Sequence, residues 1–98
     1  MAVVKLETKV EGFLFNTQVF LEGIQIGLSS DGVQTFTSTD LLNVTGNLDI
    51  VFQATGVSRT AWKLTITKLE PQEKVIFQKA GQTQSNGHSV FFDSASIS

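Results

Sequence analysis

The chain contains no cysteine, no tyrosine and a single proline, Pro71. Without cysteine, disulfide staples, thiolate nucleophiles and thiolate metal sites are excluded, and either redox compartment suits the chain. His88 is the one histidine, which excludes a two-histidine zinc site. No apolar run approaches the ~20 residues of a membrane helix, so membrane insertion is not expected. The opening segment, MAVVKLETKVEG, lacks a basic stretch followed by an apolar one, so it does not read as a secretory signal. Localisation stays open.

Charge is also scarce. Asp, Glu, Lys and Arg make up 16% of the residues, against roughly 25% in an average soluble domain. Six lysines and Arg59 are scattered along a chain of formal net charge −2. A nucleic-acid partner or an anionic membrane would demand a clustered cationic face, and none is visible. The polar surface must instead be built from Thr, Ser, Gln and Asn. Such surfaces repel their own copies weakly and are compatible with packing into assemblies.

What is present suits one small globule. With 98 residues, 41% of them hydrophobic, the chain is read as a single domain, 1–98, that builds one core without staples. The dominant period is two, the signature of half-buried strands. Val4, Leu6, Thr8 and Val10 share one face of the first segment, and alternating Lys and Glu share the other. In FLFNTQVFL the phase joins Phe13, Phe15, Thr17, Val19 and Leu21; in IQIGL it joins Ile24, Ile26 and Leu28. Glu11-Gly12 and Glu22-Gly23 separate these segments and predict consecutive hairpins, with a bulge at Gly12 as the alternative.

Ser29 to Gly32 (SSDG) reads as a turn leading into VQTFTST, residues 33–39. Alternation then fails in TDLLNVTGN, where Thr39 could cap one helical turn over 40–43, or the piece could be a crossover loop. Leu48, Ile50, Phe52 and Ala54 point inward in the next segment, and Trp62, Leu64 and Ile66 in the one after GVSR. Pro71 sits in a reversal. Val75 and Phe77 are in phase in KVIFQK, and the adjacent Phe91 and Phe92 leave the last strand's phase ambiguous. Seven to eight short strands and almost no helical periodicity predict an all-β fold, a small antiparallel β-sandwich, with a small β-barrel as the alternative.

Candidate sites are few. Trp62 is in phase with Leu64 and Ile66, which assigns it to the core; the competing reading is a solvent-facing ring that stacks on a sugar or peptide. Phe supplies eight of the nine aromatics, whereas recognition surfaces favour Tyr and Trp, so the core reading prevails. Arg59, in the GVSR reversal, could lie over an aromatic or pair with a carboxylate. Asp40, Asn43, Asn47 and Asp49 are oxygen donors of the kind calcium accepts, and Asp31 could join them, but the spacing matches no EF-hand loop. Asn43 also opens an NVT glycosylation pattern.

Ser85, His88 and Asp93 suggest a triad, yet they come without a nucleophile elbow or a recognisable oxyanion hole. The glutamates lie in turns or on a solvated face, without the cleft that paired-carboxylate chemistry needs. No phosphate-cradling or dinucleotide motif occurs. The sequence therefore predicts no catalytic residue, no cofactor and no metal site.

The leading expectation is a non-enzymatic interaction or structural module acting through a surface, by self-association or with a protein partner. Residues 33–39 carry no charge, and natural sheets put charge on exposed edges, so this segment is expected inside a sheet or in a homo-oligomer interface. Two alternatives belong to other classes. One is a carbohydrate-binding module, with or without calcium, using Trp62, Arg59, Asp40, Asn43, Asn47 and Asp49. The other is an enzyme inhibitor presenting loops such as AGQTQSNG.

Overall fold

Alternation dictates the architecture. The chain's computed structural model describes residues 2–30, 32, 34–44, 46–70 and 72–97, all-β and without a helix. The nine described strands are β1 (Ala2–Glu11), β2 (Leu14–Leu21), β3 (Ile24–Ile26), β4 (Ser29–Ser30), β5 (Thr35–Val44), β6 (Asn47–Gly56), β7 (Ala61–Lys68), β8 (Lys74–Gln82) and β9 (His88–Ser96). They form two antiparallel sheets, β4-β5-β1-β7-β8 and β3-β2-β6-β9, stacked as a sandwich. The predicted sandwich is the fold. Val4, Leu6, Thr8 and Val10 of β1 are buried, as are Leu48, Ile50, Phe52 and Ala54 of β6 and Trp62, Leu64 and Ile66 of β7. Each set is one face of a period-two strand, so the three central strands carry the core.

The two Glu-Gly pairs behave differently. Glu22 (φ 53°) and Gly23 (φ 77°) are both left-handed and join β2 to β3 with Leu21 opposite Ile24, a two-residue hairpin of the expected kind. Glu11-Gly12 makes no hairpin, because β1 pairs with β5 and β7 while β2 belongs to the other sheet. Gly12 has φ 140°, and a Cβ there would lie 2.6 Å from the Ala61 carbonyl oxygen. Only glycine fits where the chain leaves one sheet for the other.

Bulges account for two further departures. The β2–β6 register shifts between Leu14 and Asn16, so one residue is added and the phase flips. Leu14 is consequently buried and Phe13 and Phe15 are exposed, contrary to the face on which the alternation placed them. A second shift, opposite Ile66 and Thr67, leaves Val75 exposed and lets Ile76 and Phe77 pack partly on the core.

Residues 40–43 are neither a helical turn nor a crossover loop. They continue β5 opposite Val3 to Leu6, and Leu42 and Val44 enter the core. The expectation for 33–39 is met only in part. Phe36 and Thr37 lie between β4 and β1, whereas Ser38 and Thr39 pair with β1 alone. Val33, Asp31 of the SSDG turn and Pro71 of the later reversal lie outside the described residues.

Candidate functional site

Trp62 is the centre of an aromatic stack. Its indole lies 4.6 Å from the Phe52 ring and 5.6 Å from Phe91, nearly parallel to the latter at 14°. The residue is buried, and Nε1–H donates to Ser89 Oγ at 3.1 Å. Burial of a ring this large stabilises by about 2–3 kcal/mol, and the hydrogen bond satisfies its only polar atom. Gly81 of β8 lies against the ring, with room for no Cβ: one would come within 2.8 Å of Cζ2. Trp62 is a core residue.

The candidate ligand residues do not converge. Arg59 is exposed in the β6–β7 connection with φ 60°, and its N–H donates to the Thr83 carbonyl at 3.1 Å. Asn47 opens β6, so the ten residues of that strand put about 30 Å between it and the Arg59 loop. Asn43 lies on the outer face of the five-stranded sheet, and Asn47 and Asp49 on the opposite outer face. Asp40 shares the inward face of β5 with Leu42 and Val44, its Oδ2 accepting from Ser38 Oγ at 2.6 Å. Among the described residues, no group of three or more acidic, histidine or cysteine side chains is placed to hold a metal ion. Asp31, and Thr45 of the NVT pattern, fall outside the described residues.

His88 and Asp93 lie five residues apart on one extended strand, about 17 Å by strand rise. His88 Nδ1 sits 3.3 Å from Thr55 Oγ1, and Asp93 Oδ1 accepts the N–H of Ser94 at 2.8 Å. The two side chains serve separate local bonds.

Two features escaped the sequence. One is a cleft of about 200 Å³ at the β4/β5 flank, lined by Leu14, Phe15, Asn16, Thr17, Leu28 and Phe36. Thr17 Oγ1 is buried there without a hydrogen-bond partner among the described residues. The other is the outer face of the four-stranded sheet. Register aligns Gln25, Phe20, Val51 and Phe92 in one row across β3, β2, β6 and β9, with Val90 in the next row opposite Gln53. Phe92 is 75% exposed and Val90 56%. The only signal for this row was the Phe91-Phe92 pair, since two adjacent aromatics on a strand must point to opposite faces.

The edge of β9 is selectively closed. Gly56 N–H donates to the Gly87 carbonyl at 2.8 Å, in line with the β6–β9 register. Antiparallel alternation then turns the backbone groups of odd-numbered β9 residues toward β6 and those of even-numbered ones toward the open edge. The bonds at the strand ends agree: His88 N–H donates to Asn86 Oδ1 at 3.0 Å and Ser94 N–H to Asp93 Oδ1 at 2.8 Å, while the His88 carbonyl accepts Gln84 N–H at 2.8 Å. Val90 and Phe92 lie between these caps, their edge-facing N–H and C=O groups unbonded among the described residues. No family model matches the chain, and neither a curated protein nor a solved structure matches it.

Proposed function

We propose that the chain is a non-enzymatic interaction module that works by self-association through the outer face of its four-stranded sheet. The observation that carries this reading is the aligned row of Phe20, Val51 and Phe92, which crosses three strands and ends in a ring that is 75% exposed. On one side the row is flanked by the uncharged Gln18 and Gln53, and on the other by Asp49 and Ser94. A row of this kind loses free energy in water, at ~25 cal/mol per Å² of apolar surface, and regains it when a second surface covers it. The low charge of the whole chain supports the same reading, because copies meet with little repulsion. Val51→Lys tests it. The lysine stands at the centre of the row, its stem can lie along the sheet, and the core beneath is untouched. Sedimentation over a concentration series should show wild-type self-association that the variant loses. Equal association of the two proteins would overturn the reading.

A further inference from the structure

The inference rests on the self-association just proposed and adds a second contact to it, at the β9 edge, which leaves Phe20 and Val51 uncovered for the face contact. We infer that two copies join edge to edge through β9, antiparallel about a two-fold axis at Phe91, so that the two four-stranded sheets become one. The other edges are poorly shaped for such a joint. β3 and β4 have only three and two residues. β2 beyond β3 is bulged, β5 beyond β4 turns the Asp40 carboxylate inward, and β8 combines a bulge with an inward Lys79 whose Nζ lies 4.4 Å over Phe91. Bulges, short strands and inward charges are the devices by which natural sheets refuse strand addition. On β9 the register runs unbroken from His88 to Ser96; this strand too carries an inward charge, Asp93, so what sets it apart is its length and regularity.

The open groups then select one register. Capping at His88 and Ser94 leaves Val90 and Phe92 as the residues offering both N–H and C=O at the edge. Pairing Val90 with the partner's Phe92, and Phe92 with the partner's Val90, lets these groups exchange four hydrogen bonds. A shift by one residue would put outward side chains opposite inward ones. A shift by two would pair Phe92 with its own copy and Val90 with the partner's Ser94, whose N–H is already bonded.

Charge agrees with the selected register. Asp93 faces the partner's Ser89 rather than another Asp93. Ser89 Oγ accepts the Trp62 indole N–H, which leaves its own proton to donate to that carboxylate. On the outer face, Val90 and Phe92 of both copies close into one apolar cluster that extends the row across the joint. The apolar area covered is on the order of a few hundred Å², below the roughly 1,000 Å² of a stable interface, so the proposed dimer is a weak and transient one.

Three measurements test the joint. Val90→Pro removes the edge-facing N–H at a position where an edge strand tolerates proline, and Phe92→Lys puts charge on the edge. Each should weaken dimerisation about tenfold or more in sedimentation equilibrium at concentrations on the order of 0.1–1 mM. Unchanged Trp62 emission would certify that each variant is folded. Because the chain has no cysteine, Val90→Cys and Phe92→Cys chains each carry a single thiol. Oxidation of an equimolar mixture should cross-link faster than either variant alone, since only the 90–92 pairing brings the Cα atoms within disulfide range.

Faster cross-linking of Phe92→Cys with itself would overturn the register. Association that Val51→Lys abolishes and Val90→Pro leaves intact would overturn edge pairing while sparing the sheet-face reading. Wild-type protein that stays monomeric throughout the series would overturn both.

Discussion

Two buried threonines should answer the same substitution with opposite signs. Thr8 on β1 is fully buried, and its Oγ1 has no hydrogen-bond partner among the described residues. A hydroxyl taken out of water and left unpaired costs about 1–3 kcal/mol. Valine has nearly the same shape and places a methyl where the hydroxyl was, among Leu6, Val10 and the core facing them. Thr8→Val should therefore stabilise the protein by about 1–2 kcal/mol, or roughly 4–15 °C in Tm for a domain of this size.

Thr83 is equally buried but differently employed. Its Oγ1–H donates to the Val57 carbonyl at 2.7 Å and its Oγ1 accepts the N–H of Thr60 at 2.8 Å. Thr83→Val deletes both bonds and strands a part-buried amide, so it should destabilise by about 2–3 kcal/mol. Urea unfolding followed by Trp62 fluorescence measures both variants with one probe. A destabilised Thr8→Val, or a Thr83→Val as stable as wild type, would refute the reasoning that partnership rather than burial sets the sign.

Gly81→Ala drives a Cβ to 2.8 Å from Trp62 Cζ2, against a ring that Phe91, Phe52 and Ser89 hold in place. It should cost about 1–3 kcal/mol and alter the near-UV circular dichroism of the indole; a midpoint within error of wild type would show that the ring gives way. Glu70→Gln should change the unfolding free energy from urea titration by less than about 0.5 kcal/mol. The Lys5–Glu70 pair spans 3.8 Å with the glutamate side chain 69% exposed, and a larger loss would mean that this surface pair is more rigid than its exposure implies.

The sandwich was legible wherever a strand keeps its period from end to end. β1, β6 and β7 do so, and the residues alternation assigned to the core in them are buried. The Glu22-Gly23 hairpin was legible because two left-handed residues between paired strands leave few alternatives. The identical dipeptide at Gly12 misled, since a glycine signals the need for an unusual backbone without saying whether the chain reverses or crosses to another layer. Phe13, Phe15 and Val75 misled for one shared reason: a bulge adds a residue, and every side chain beyond it changes face. Residues 40–43 resisted reading because Asp40 occupies an inward position next to Leu42, breaking the polar–apolar alternation that marks a strand.

The surface proposed for function was less visible for a related physical reason. A core position reveals itself in one segment's periodicity, but the row of Phe20, Val51 and Phe92 draws one residue from each of three strands. Each of them is an unremarkable exception within its own segment, and only the registers of β2, β6 and β9 bring them into line. The open edge is harder still to foresee. It depends on the backbone bonds of Val90 and Phe92, which carry no side-chain signature, and on caps from Asn86 and Asp93 that look like ordinary turn and surface residues in the sequence. The absence of charge over 33–39 drew attention to β5, whereas the joint proposed above lies on β9, because low charge permits association without choosing where it happens. In the proposed dimer the place of association is chosen by which backbone groups the neighbouring side chains leave unbonded.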